Sequence, residues 1–158
     1  MYFKKVSWLL VILCLLGIFI MSNLNGVKSW YLTGEVLNVA KGNINSEATF
    51  EDKMASYEED HTRIQMIVLR KAAHFTEYFI LAVLLMNALL FSFDVKGALT
   101  RAVLFGVMYS FFDEFHQLFI PGRTPKIFDV GIDSLGVLVG CGLFYVLTKN
   151  RKVKTYGQ

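Results

Sequence analysis

The sequence lacks the residues that mark several familiar classes of protein. Only two cysteines occur among the 158 residues, Cys14 and Cys141, and both lie in apolar runs. We interpret them as small buried hydrophobic residues, because a disulfide framework or a metal pair would need further ligands that the sequence does not show. A nucleophile elbow, a phosphate-binding glycine loop and a zinc-protease motif are also absent.

A basic surface of the kind that binds nucleic acid is missing as well. Sixteen Lys and Arg against thirteen Asp and Glu give a net charge of +3, and the basic residues are divided among separate segments. We therefore expect no nucleic-acid partner. The basic C-terminal segment is better explained as a topology determinant that contacts anionic lipid headgroups.

Hydrophobic residues, in contrast, are in excess. They make up 54% of the chain, and the mean hydropathy is +0.46, whereas soluble domains average about 45–50%. The excess lies in four blocks, which predicts an all-α, polytopic membrane protein: a four-helix bundle forming one domain. The first block is expected to be a retained helix, because no small-residue cleavage site follows it. The predicted membrane helices are at about 6–22, 73–93, 102–120 and 129–147, with a long extracytoplasmic loop at about 23–63 and one domain over 1–158.

Charge asymmetry predicts the orientation in the cell membrane. Eight basic residues fall in three short segments that we assign to the cytoplasm: Lys4, Lys5, Lys96, Arg101, Lys149, Arg151, Lys152 and Lys154. Both termini are therefore expected to be cytoplasmic. Arg123 and Lys126 lie in a short outer loop and break this rule locally, which suggests that positive charge is needed there for another purpose.

The long polar segment has the composition of an outer loop. Residues 22–63 contain seven acidic and four basic side chains, a net charge of −3. Phe50, Met54 and Tyr57 follow a candidate cap at Ser46 with helical spacing, which predicts a short amphipathic helix on the membrane surface. A partly ordered loop is the alternative.

Ionisable residues concentrate at one depth of the predicted bundle. At about 1.5 Å per residue, Glu77, Asp113 and Asp133 each lie within about 10 Å of the outer end of their helix. Within each helix the polar residues share one face. Because charge facing lipid is costly, we expect these faces to converge in one polar site. Its expected members are Arg70, Lys71, His74, Glu77, Tyr78, Asp113, Glu114, His116, Gln117, Arg123, Lys126, Asp129 and Asp133.

Gly136 and Gly140 have the small-xxx-small spacing that lets membrane helices approach closely. We interpret the pair as a packing surface. The neighbouring helix could belong to the same chain or to a second copy, so a homo-oligomer stays an alternative.

Three segments in this order resemble the VanZ-like family of bacterial membrane proteins: Lys71–Tyr78, Asp113–Arg123 and Asp129–Gly136. The resemblance implies a small integral membrane protein of the cell envelope. It also implies a link to teicoplanin resistance, because the founding member is connected with low-level resistance to that lipoglycopeptide. The family often has Asn where this chain has Asp133, so this position can ionise here.

Three functions are compatible with the polar site. In the first, it binds an anionic lipid headgroup, a lipid-linked envelope precursor or a lipoglycopeptide, with Arg123 as the bidentate donor. The residues expected to contact this ligand are Lys71, His74, Glu77, Tyr78, Gln117, Arg123, Asp129 and Asp133.

In the second, the site is an intramembrane hydrolase or transferase for a lipid-linked phosphate or acyl group. Asp113, Glu114 and His116 would then act as general acid and base, and Arg123 would stabilise developing negative charge. A metal-dependent version of this enzyme would use His74, Glu77, Asp113, Glu114 and His116 as ligands, but neither a metal nor another cofactor is expected. In the third, the polar network only fixes the helix register.

Overall fold

The computed structural model describes residues 2–43 and 48–148, which form helices and no strands. The predicted all-α class is therefore confirmed. The candidate cap Ser46 and the basic segment after residue 148 lie outside the described ranges. The helices in chain order are α1 (Tyr2–Ser22), α2 (Gly26–Ala40), α3 (Phe50–Tyr57), α4 (Asp60–Leu89), α5 (Val95–Gln117) and α6 (Ile127–Thr148).

Four of these helices, α1, α4, α5 and α6, are long and apolar enough to cross a membrane. Their outward sides keep large apolar residues such as Leu104, Met108 and Leu135, each more than half exposed. An apolar surface of this extent suits lipid rather than water. The chain is thus a multi-pass membrane protein.

Helix α4 is the centre of the bundle and contacts all five other helices. Its buried residues Tyr78, Leu81 and Leu85 belong to one apolar core, to which Val11 of α1 and Val137 of α6 also contribute. The remaining long helices therefore pack around α4 and share its core.

The start of α4 differs most from the predicted membrane boundaries. The helix has 30 residues, a length of about 45 Å, whereas the hydrocarbon core of a bilayer is about 30 Å thick. The helix begins at Asp60, within the predicted loop, and ends at Leu89, four residues before the end of the predicted span 73–93. Its first turns carry Arg63 and Arg70 beyond the apolar portion of the helix.

The predicted loop also contains a 15-residue helix, α2, that the sequence pattern did not reveal. Its N-cap is Asn25, whose side chain accepts a hydrogen bond from the Lys28 amide at 2.8 Å. Helix α3 forms close to where the spacing of Phe50 and Tyr57 predicts a helix, but Thr49 is its N-cap, in a capping box with Asp52.

Helices α4 and α6 run parallel, in close contact. A Cβ atom at Gly136 would collide with the backbone carbonyl oxygen of Phe75, and one at Gly140 would lie 2.7 Å from that of Phe79. The glycine pair therefore packs against α4 of the same chain. Only residues without a side chain allow this approach.

Candidate functional site

The N-terminal halves of α4 and α6 carry facing polar side chains. Lys71 Nζ lies 2.6 Å from Asp129 Oδ1, an ion pair that joins the two helices at the edge of the bundle. One turn deeper, His74 Nδ1 lies 3.6 Å from Asp133 Oδ1. The structure thus brings together four of the residues that the sequence predicts to share one site.

The turn between α5 and α6 is fastened to the start of α2. The Gly26 amide donates to the Pro121 carbonyl at 3.0 Å. Gly122 adopts a φ of +73°, a conformation that side-chain-bearing residues rarely adopt. A Cβ atom at Gly26 would collide with the Gly122 carbonyl group, so the two backbones touch at this point.

Arg123 follows this turn and binds the end of α1 through backbone carbonyls. Its Nε donates to Leu24 O at 3.0 Å, and its Nη2 donates to Met21 O at 3.1 Å. Burial, reinforced by the nearby charge of Arg70, lowers the pKa of Arg123 to about 10. The guanidinium therefore still carries its charge at neutral pH, and no carboxylate forms an ion pair with it within the described ranges.

A cavity of about 450 Å³ opens between α2, α4 and the turn before α6. Its basic lining residues are Arg63, Arg70, Lys71, Arg123 and Lys126. Glu58 and Asp129 are its acidic lining residues, so the lining carries an excess of three positive charges. Trp30 also lines it, and its buried indole N–H has no hydrogen-bond partner among the described residues. We call this space the cationic cavity.

A second, mainly apolar space of about 180 Å³ lies between α1, α2 and α4. Leu32, Val36 and Leu69 are among its lining residues, and Glu77 and Asp113 supply its carboxylates. We call it the apolar groove. It shares three lining residues with the cationic cavity: Arg70, His74 and Arg123.

Three carboxylates in or near these spaces are buried, and they differ in the hydrogen bonds that they accept. Asp113, 2% exposed, accepts a hydrogen bond from Gln117 Nε2 at 3.0 Å. Glu114 accepts one from the Lys126 amide. Asp133 is fully buried, and within the described residues neither of its oxygens accepts a hydrogen bond. The buried Tyr78 hydroxyl has no hydrogen-bond partner there either.

His116, which the sequence predicts to be catalytic, contacts α1 and the residues that follow it. Its ring stacks on Phe19 at a centroid distance of 5.0 Å, and its Nε2 is 3.2 Å from Asn23 Oδ1. His116 and Glu114 line neither the cationic cavity nor the apolar groove. His116 is thus held by Phe19 and Asn23, and Glu114 by the Lys126 amide, whereas Asp113 lines the groove.

Sequence reasoning missed two contributors to the cationic cavity, Trp30 and Arg63. A signal existed for Arg63, because Arg63, Arg70 and His74 are spaced by seven and four residues and share one helical face. This face is recognisable only if α4 is extended to Asp60. Trp30 had no comparable signal, because α2 itself was not predicted.

Comparison with known proteins identifies one family. A family model described as VanZ/LLP1 matches residues 7–148, nearly the whole chain. No curated protein and no solved structure matches the chain.

Proposed function

The chain belongs to the VanZ-like family, and from this premise we propose that its cationic cavity binds the anionic headgroup of a lipid or of a lipid-linked envelope precursor. The proposal includes an orientation in which both termini are cytoplasmic and the cavity faces outward. A cytoplasmic signal from a reporter inserted between α2 and α3 would contradict this orientation.

The observation that carries the proposal is positive charge without an acidic partner. Lys71 is paired with Asp129, but Arg63, Arg70 and Lys126 form no ion pair within residues 2–43 and 48–148. Cations held together in one cavity repel each other, and an anion bound between them relieves that repulsion. Arg side chains also match the geometry of phosphate and carboxylate groups.

The apolar groove supports a lipid in preference to a soluble anion. It meets the cationic cavity at Arg70, His74 and Arg123, so a molecule with a charged head and an apolar chain could occupy both spaces. The unpartnered Trp30 N–H adds a neutral donor for a headgroup oxygen. Charge and apolar surface are thus arranged in the order that an amphiphile requires.

Lipid binding by the purified chain tests the proposal. In native mass spectrometry we expect retention of phosphatidylglycerol and of a polyprenyl phosphate, and weaker retention of zwitterionic phosphatidylcholine. Arg70→Gln should weaken binding of the anionic lipids by about tenfold or more, because a charge-assisted hydrogen bond contributes about 1.5 kcal/mol or more.

Lys28→Gln is the matched control. It removes one positive charge from an exposed position on α2 that lines neither space. Equal binding by wild type, Arg70→Gln and Lys28→Gln would contradict the proposal. Binding should also weaken as salt is added, because mobile ions screen the cavity.

The family membership extends the proposal to glycopeptide resistance. Expression of the chain in a susceptible host should raise tolerance of teicoplanin, and Arg70→Gln should lower that tolerance at an equal protein level. Unchanged susceptibility on expression of the wild-type chain would remove resistance from the proposal and leave lipid binding to be decided by mass spectrometry.

A second candidate function is hydrolysis or transfer at the bound headgroup. It is favoured by one observation: Glu77 and Asp113 line the apolar groove where it meets the cavity at Arg123. A carboxylate there could accept the proton of a water that attacks phosphorus or an acyl carbon, while Arg123 stabilises the developing charge. Release of phosphate or fatty acid from the retained lipid, lost in Asp113→Asn, would distinguish this enzyme from a binding protein.

A further inference from the structure

The buried carboxylate of Asp133 lies below the cationic cavity with its oxygens unsatisfied. Its side chain is fully buried, and both oxygens lack a hydrogen-bond donor within the described part of the chain. A buried carboxylate without a donor or a countercharge is among the most unfavourable arrangements in a protein. Either a proton or a cation must compensate for it.

The side chains around Asp133 have the geometry of ligands. His74 Nδ1 is 3.6 Å from Asp133 Oδ1, beyond a normal hydrogen bond, and among the described residues this nitrogen also has no hydrogen-bond partner. One potential ligand atom each from His74, Asp113 and Asp133 lies within 4.8 Å of the others. Two ligands bound to one tetrahedral zinc ion at about 2.0–2.1 Å are separated by about 3.3 Å, so this cluster needs little adjustment to surround an ion.

We propose that His74, Asp113 and Asp133 bind one divalent transition-metal ion of the zinc or manganese class. One imidazole nitrogen with two carboxylates is a donor set that these ions accept, whereas calcium and magnesium prefer oxygen alone. Two carboxylates also balance the double charge of the ion. Three protein ligands leave a coordination position for water or for an oxygen of a bound headgroup.

Neighbouring residues support this assignment. The Gln117 amide donates to Asp113 Oδ2 and would fix the orientation of that ligand, as outer partners of metal ligands commonly do. His74 and Asp113 line the apolar groove, which gives the ion a path of entry. The proposal concerns these side chains alone and does not depend on what the cationic cavity binds.

Metal titration of the full-length chain tests the inference. Protein stripped with EDTA should take up about one equivalent of Zn²⁺ or Mn²⁺ in calorimetry and in elemental analysis after gel filtration. Asp133→Asn and His74→Ala should each lose this equivalent. The control Asp60→Asn removes an exposed carboxylate outside the cluster and should retain it. Equal uptake by wild type and Asp133→Asn would overturn the proposal.

A measurement on the wild type alone covers the case in which these variants fail to fold. Co²⁺ added to the stripped protein should produce intense visible d–d absorption, which reports coordination number and nitrogen–oxygen ligation, and Zn²⁺ should abolish it. No uptake and no such band would show that the cluster is held by protons only. Because the titration measures metal and no lipid is added, this result is independent of the headgroup-binding measurement.

Discussion

Helices α4 and α6 lie side by side along their length, but their two halves form different surfaces. In the C-terminal direction Gly136 and Gly140 bring α6 directly against the backbone of α4, in a contact that we call the glycine seam. In the N-terminal direction the same helices carry Lys71 and Asp129, which line the cationic cavity. The two helices thus touch through backbone atoms in one half and through charged side chains in the other.

One half of this helix pair therefore determines the stability of the protein, and the other half determines ligand binding. The glycine seam allows no change of spacing, because its neighbours are backbone atoms that cannot move independently of α4. The cavity lining includes long basic side chains, and several of them form no ion pair with the residues that the structure describes. Changes in the seam should therefore alter whether the protein folds, and changes in the cavity should alter what it binds.

Gly136→Leu is the strongest way to break the seam. Even its Cβ atom would collide with the Phe75 carbonyl oxygen, and overpacking of this kind costs about 1–3 kcal/mol or more. We expect little monodisperse protein in size-exclusion chromatography after detergent extraction. Gly142→Leu on the same helix is the control, because a Cβ atom there meets nothing within 4 Å. Similar yields for both variants would show that the seam tolerates separation.

The seam is also where sequence reasoning succeeded, because small residues four apart on an apolar helix are typical of close helix packing. The convergence of Lys71, His74, Asp129 and Asp133 followed from helix rise and the cost of charge in lipid. Which of the polar residues face a cavity could not be predicted in this way. Asp113 and His116 share a helical face in sequence, yet Asp113 lines the apolar groove, whereas the ring of His116 stacks on Phe19.

Residues in the outer segment were the hardest to predict, for a physical reason. Helix α2 contains Gly34, and glycine lowers intrinsic helix propensity. The position of α2 is fixed by tertiary contacts, since the ring of Tyr57 from α3 packs against Gly34. Such contacts between distant residues leave no periodic signal, so Trp30 and Arg63 were not recognised as members of the site.

Asp129→Asn tests whether a change in the cavity lining alters binding more than stability. The substitution removes the partner of Lys71 and adds one net positive charge to the lining. Because the pair is partly exposed, we expect a loss of only about 1 kcal/mol or less in the free energy of unfolding. Retention of phosphatidylglycerol in native mass spectrometry should increase, opposite to the effect of Arg70→Gln. Weaker retention would mean that Asp129 orients Lys71 for the headgroup.

The smallest expected effect is a loosening of α3 at low pH. Helix α3 borders the cationic cavity through Met54 and through Glu58, the C-cap residue of the helix. Helix α3 is joined to α2 by Glu35, which accepts hydrogen bonds from the Tyr57 hydroxyl at 2.7 Å and from Lys53 Nζ at 3.1 Å. The bond from Tyr57, followed by that from Lys53, lowers the pKa of Glu35. A carboxylate with a lowered pKa stabilises the folded state above its ordinary pKa of about 4.3.

That contribution is lost as the pH falls through the lowered pKa of Glu35, so acid should loosen α3 from α2. Hydrogen-exchange protection of α3 should decline in this range while the seam between α4 and α6 stays protected. Asp52 titrates nearby, because its bonds to Thr49 lower its pKa as well. Glu35→Gln should therefore remove the part of the acid response that Asp52→Asn leaves in place. If Asp52→Asn alone abolished the response, the capping box and not the contact between α2 and α3 would be the acid-sensitive element.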